Sequence, residues 1–126
     1  MLHKGTVILE REKLLLIRFK IEDAYDNNWY NDYEVIKYLY YKIHSIIEII
    51  RQVLTEWISQ YDYKNFYRWA IAVKESNTVV RSIGTVKIDD NLNMLSIRYC
   101  ISKNYWYKGI TLEAFSILIK FFILII

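Results

Sequence analysis

A chain of 126 residues, 54% hydrophobic and 25% charged, has room for one small domain with a real core and is too apolar to remain disordered. A net charge of +3 suits an anionic small-molecule partner, and without a dense Lys/Arg stripe it argues against nucleic acid. The single cysteine, Cys100, excludes an internal disulfide, fits a reducing cytoplasm and reads as a buried strand residue.

In chain order, Met1–Thr6 carries no apolar core of signal-peptide length. Val7, Leu9 and the Leu14–Ile17 run predict a strand bent at the charged Glu10–Lys13 stretch. Glu22 and Asp23 sit at the front of a short helix, where the helix dipole favours acidic residues. Val35, Tyr38 and Leu39 fall at helical spacing in a second candidate over 31–39.

Ser45-Ile46-Ile47-Glu48 has the form of a capping box. From there Ile46, Ile50, Val53 and Trp57 recur at helical intervals, with Arg51, Gln52, Glu56 and Gln60 opposite. This predicts an amphipathic helix over 45–61 whose polar face is solvated surface.

Three strands follow. Phe66–Val73 alternates Trp69, Ile71 and Val73 against small Ala70 and Ala72. Val79–Ile88 contains Gly84, which marks a bulge or a close backbone approach. Met94–Ile101 places Leu95, Ile97, Tyr99 and Ile101 on one face. The short polar turns between them predict an antiparallel meander. Ile110–Ile126 is apolar on nearly every side, yet too short and too interrupted by Thr111, Glu113, Ser116 and Lys120 to span a membrane, which takes ~20 apolar residues.

Chemistry concentrates where the last strand gives way to the last helix. A strand, a turn containing Lys108-Gly109 and a helix start bring backbone N–H groups without intrahelical partners to one point, and the helix dipole adds positive charge there. Such a point suits a phosphate or pyrophosphate. The two histidines, His3 and His44, are far apart and no metal or nucleophile set surrounds Cys100 in the sequence, so no metal site is expected.

The same stretch resembles a motif of the GNAT acetyltransferases of the ribosomal-protein N-terminal type, Y-C-I-x-x-x-Y-W-G-K-G-I-M-T-E-A. Here it stands as Tyr99-Cys100-Ile101 and then Tyr105-Trp106-Tyr107-Lys108-Gly109-Ile110-Thr111-Leu112-Glu113-Ala114. Upstream, L-E-R-E-K-L-L-L-I-R-F is similar to the family's E-T-E-R-L-L-L-R-P-F, with Arg18 in place of proline. Asp32–Leu39 resembles D-P-E-V-x-x-Y-L, a region that lines the acceptor side of the family's cleft.

The resemblance implies an α+β, α/β/α-layered fold: a mixed, mostly antiparallel sheet flanked by helices, in one domain spanning 1–126. It implies acetyl-CoA as co-substrate and a primary amine, such as a protein N-terminus, as acceptor. The backbone of Trp106, Tyr107, Lys108, Gly109, Ile110 and Thr111 would hold the pyrophosphate, with Lys108 adding charge. The strand at Tyr99, Cys100 and Ile101 would hold the pantetheine arm and polarise the thioester.

Three departures qualify this expectation. Ser96-Ile97-Arg98-Tyr99 stands where the family often has E-I-G-Y, so no catalytic base is assigned. Tyr107 replaces the first glycine of the phosphate turn, which would cost roughly 1–2 kcal/mol if that position needs positive φ. The family continues with a strand, a helix and two further strands, so the chain reads as C-terminally truncated, with weak or no turnover. The alternative is a non-catalytic module of the same fold that dimerises through an open sheet edge and an apolar C-terminus.

Overall fold

The computed structural model describes residues 2–25, 43–76, 78–101 and 109–125. Five strands form one sheet in sequence order: β1 (Leu9–Glu10), β2 (Leu14–Ile17), β3 (Arg68–Val73), β4 (Thr78–Asp89) and β5 (Met94–Ile101). All four neighbour pairings are antiparallel. A 3₁₀ turn, Ile21–Tyr25, and helix α1 (Ile43–Gln60) separate β2 from β3, and helix α2 (Ile110–Ile125) follows β5.

Period-two alternation sorts the side chains onto two faces. On one, Leu14, Leu16, Trp69, Ile71 and Ile83 pack with Tyr67 against Ala114, Ile117, Leu118, Phe121 and Phe122 of α2. On the other, Ala70 packs with Phe19 and Ala24 against Ile50, Leu54 and Trp57 of α1. The sheet is thus the middle layer between two helices, the α/β/α arrangement expected. Small Ala70 fits beneath α1, while bulky Trp69 and Ile71 fill the space beneath α2.

The stretch before β2 is a hairpin rather than one bent strand. Leu9 pairs with Leu16 and Glu10 with Leu15, and the Arg11 N–H donates to the Leu14 carbonyl at 2.9 Å. The charged Arg11–Lys13 residues turn the chain outright because they have no apolar face to bury. Arg18, where proline was expected from the resemblance, donates through Nε to the Thr6 carbonyl at 2.8 Å and lies over the Tyr61 ring at 5.0 Å.

Helix α1 is helical from Ile43, so Ser45 lies inside it and is not its N-cap. Its predicted polar residues Arg51, Gln52 and Glu56 are exposed. The candidate helix at 31–39 lies outside the described residues. Gly84 marks a close approach, since a Cβ there would overlap the Tyr67 carbonyl oxygen. The β4–β5 turn is built by Asp89, whose Oδ1 accepts from the Asn91 and Leu92 N–H groups at 3.0 and 3.2 Å, the Asx geometry its residues favour.

Candidate functional site

Antiparallel order brings the C-terminal end of β5 to the sheet end where β2 starts and β3 finishes: Ile101 pairs with Arg81, and Val73 with both Leu14 and Thr78. Helix α2 starts at this same end. Gly109, exposed and at φ 75°, gives its carbonyl to the Glu113 N–H at 3.1 Å. Gly109 is therefore the helix cap, in a backbone conformation that side chains rarely adopt. A Cβ at Gly109 would meet nothing within 4 Å, so conformation and not crowding is what calls for glycine.

The amides of Ile110, Thr111 and Leu112 come before the first intrahelical acceptor and have none within α2. Ile110 is buried and anchors this turn on the core, whereas Thr111 is half-buried. Trp106, Tyr107 and Lys108 lie outside the described residues.

Strand β5 is the edge of the described sheet, paired with β4 alone. Half of its backbone N–H and C=O groups therefore point away from the sheet, available to an extended ligand. Tyr99 is 48% exposed and meets Phe115 of α2 edge-on, with ring centroids 5.1 Å apart. The contact ties strand to helix beside the amide cluster. Cys100 and Ile101 continue β5, opposite Ser82 and Arg81; their side chains lie outside the described ones.

On the other flank of α2 a cleft of about 740 Å³ opens, lined by Lys13, Leu14, Lys74 and Ser76 together with Ile110 and Glu113. Sequence reasoning passed over Lys74 and Ser76, since Lys74-Glu75-Ser76 carries only a turn signal. Lys74 pairs with Glu10 at 2.5 Å, and its N–H donates to the Lys13 carbonyl at 3.0 Å. Two ammonium groups and the carboxylates of Glu12, Glu75 and Glu113 line it together. This mixture does not favour anions, so the anion-binding character of the region rests on the backbone amides.

The strand that would carry a base presents Ser96, exposed, and Arg98. His3 lies at the far end of the sheet, with Nδ1 2.9 Å from the Tyr67 hydroxyl and Nε2 2.7 Å from Asp90. Among the described residues no three His, Cys, Asp or Glu side chains are grouped to hold a metal ion, and no helix is long and apolar enough to cross a membrane.

The profile of the acetyltransferase (GNAT) domain matches residues 13–124. A GNAT-family acetyltransferase from Bacillus anthracis superposes with a TM-score of 0.66 at 19% identity, covering 91% of this chain and 65% of that one. A ribosomal-protein-S5-alanine acetyltransferase from Vibrio fischeri gives 0.65 at 16%, covering 90% and 66%. A Vibrio cholerae protein described as a ribosomal-protein-serine acetyltransferase gives 0.70 at 16%, covering 94% and 68%. At these identities the structural likeness speaks to the fold, and the chain spans about two thirds of the length of these proteins. No curated protein sequence matches significantly.

Proposed function

Because the chain belongs to the GNAT acetyltransferase domain family, we propose that it is one acetyltransferase domain that binds acetyl-CoA at the β5–α2 junction and acts on a primary amine. The observation that carries this reading is the Gly109 cap, exposed and left-handed, whose carbonyl is the first intrahelical acceptor, so that the amides of Ile110–Leu112 have none within α2. These donors would hold the pyrophosphate, aided by Lys108 and the backbone of Trp106 and Tyr107. The free edge of β5 at Tyr99–Ile101 would take the pantetheine arm and direct an N–H at the thioester carbonyl. The amine nitrogen forms a bond to that carbon, the C–S bond breaks, the thiolate leaves as CoA, and the amine proton passes to solvent.

Protein N-termini are the acceptor class we favour, by analogy with the ribosomal-protein acetyltransferases that share the fold. Turnover is slow in this reading, because β5 offers Ser96 and Arg98 and no carboxylate or imidazole to take the proton. The lone cysteine fits a cytoplasmic setting.

Isothermal titration of the chain with acetyl-CoA, run beside a thiol assay for CoA release, tests this. Weak saturable binding, competed by CoA and lost in Gly109→Val, is expected, with release barely above the uncatalysed rate. Absence of any binding overturns the site; micromolar affinity with steady CoA release overturns the slow-turnover reading. A non-catalytic module of the same fold is the second reading, favoured by the unpaired edge of β5. It would associate with itself irrespective of acetyl-CoA.

A further inference from the structure

Helix α2 is buried on one side by the sheet and bare on the other. Its outward residues include Leu112, Ser116, Ile119 and Ile123, spaced four, three and four apart. The three aliphatic ones are 75%, 52% and 66% exposed, and Ser116 is half-buried. That spacing draws a straight seam along a helix, the pattern by which two helices interlock. Four core residues in the same helix, Ala114, Ile117, Leu118 and Phe121, already satisfy its packing against the sheet. That packing does not use the seam.

We propose that this seam is a homodimer interface, in which α2 packs antiparallel against α2 of a second copy. The charges choose both the occupant and its direction. Glu113 and Lys120 each follow a seam residue by one position, so they lie on the same flank, seven residues apart. Neither forms an ion pair among the described residues. In an antiparallel pair the two-fold axis crosses the helices, so each flank meets the same flank of the other copy with its direction reversed.

The seam's midpoint falls between Ile117 and Leu118. Reflection through it brings Glu113 within two residues of the partner's Lys120, about 3 Å along the axis, a gap that a lysine side chain spans. Symmetry makes the pair twice. In a parallel pair that flank would instead meet the opposite one, Thr111, Phe115, Leu118 and Phe122, which carries no charge. Small Ser116, near the midpoint, lets the backbones approach.

Three large aliphatic side chains from each copy, with Ser116 between them, amount to roughly half of the ~800 Å² per partner in a standard interface. An interface this small makes a weak dimer, governed by concentration. Sedimentation of the full chain from about 1 to 500 µM should then show a monomer–dimer equilibrium in that range. Ile119→Asp should abolish it. Glu113→Lys or Lys120→Glu alone should weaken association about three- to tenfold, as two exposed ion pairs allow.

The double reversal, Glu113→Lys with Lys120→Glu, should recover wild-type affinity, which no general loss of stability could do. Mixing Leu112→Cys chains with Ile123→Cys chains should give the mixed disulfide, one introduced thiol from each variant, in preference to either symmetric one. A monomer throughout, a dimer indifferent to Ile119→Asp, a double reversal no better than the single ones, or a dominant symmetric disulfide would each overturn the proposal. The outcome is independent of acetyl-CoA binding, since the seam is made of side chains and the amide cluster of backbone.

Discussion

The Tyr61 hydroxyl donates a hydrogen bond to the Arg68 carbonyl oxygen at 3.0 Å, joining the turn after α1 to the first residue of β3. The hydroxyl oxygen in turn accepts the Phe19 N–H at 2.9 Å, so one phenol satisfies two backbone groups just beyond the last paired residues of the β2–β3 ladder. Tyr61→Phe keeps the ring and strips both partners. A loss of about 2–3 kcal/mol is expected, the cost of leaving a buried donor and acceptor unpaired. Urea unfolding followed by tryptophan fluorescence would measure it, and an unchanged midpoint would refute the bridging role.

Burial also pushes the Tyr61 phenol up to about 12 from its ordinary value of 10.0, and desolvation raises Tyr67 in the same direction. Below pH 10 folded and unfolded chains both keep these protons, and the full contribution to stability is present. Above it the unfolded chain ionises first, so stability falls as pH rises from 10 through about 12, by on the order of 2 kcal/mol for Tyr61. Unfolding midpoints at pH 8, 10 and 11 should show this decline, and a shallower one in Tyr61→Phe. Equal slopes would mean that other groups carry the alkaline transition.

Gly84→Ala introduces a methyl group against the Tyr67 carbonyl, which already accepts the Thr85 N–H at 3.0 Å. Backbone cannot rotate aside as a flexible side chain would. Destabilisation of roughly 1–3 kcal/mol is expected, as for overpacking elsewhere. Thermal melts would record it as a drop in Tm; a neutral substitution would show that β3 and β4 can part here without penalty.

Gly109 poses the opposite case, with open space but a left-handed backbone. Gly109→Ala should cost about 1–2 kcal/mol, and Gly109→Asn less, because asparagine visits that region more readily. If the amide cluster binds the coenzyme, acetyl-CoA affinity should follow the same ranking: glycine, then asparagine, then alanine. Calorimetric affinities in any other order would detach the cap from the site.

His3 joins chain segments 64 and 87 residues away through Tyr67 and Asp90. His3→Ala should free the N-terminal segment and lower stability by about 1 kcal/mol. Hydrogen exchange at Gly5 and Val7 reads this directly, as their amides bond the Lys64 and Gly5 carbonyls. Protection unaltered by the substitution would make the histidine incidental.

Local periodicity made much of the architecture legible. Trp69, Ile71 and Val73 on one face and Ala70 on the other could be read from alternation, because a strand's side-chain period is fixed by its backbone. Ile50, Leu54 and Trp57 marked the buried side of α1 in the same way. Gly84 announced its close contact, since a missing side chain inside a strand is rarely without cause.

What periodicity left open lies in contacts between distant segments. Whether Glu10–Lys13 bends or reverses the chain was decided by β1 pairing back on β2, which a run of four charges does not announce. Lys13, Lys74 and Glu113 share a cleft only because antiparallel order carries three segments to one end of the sheet. The bonds from His3 to Tyr67 and Asp90, and from Tyr61 to Phe19 and Arg68, have no local signature at all. A side chain's face follows from its immediate neighbours along the chain; its partner is chosen when the layers close, and that choice belongs to the whole fold.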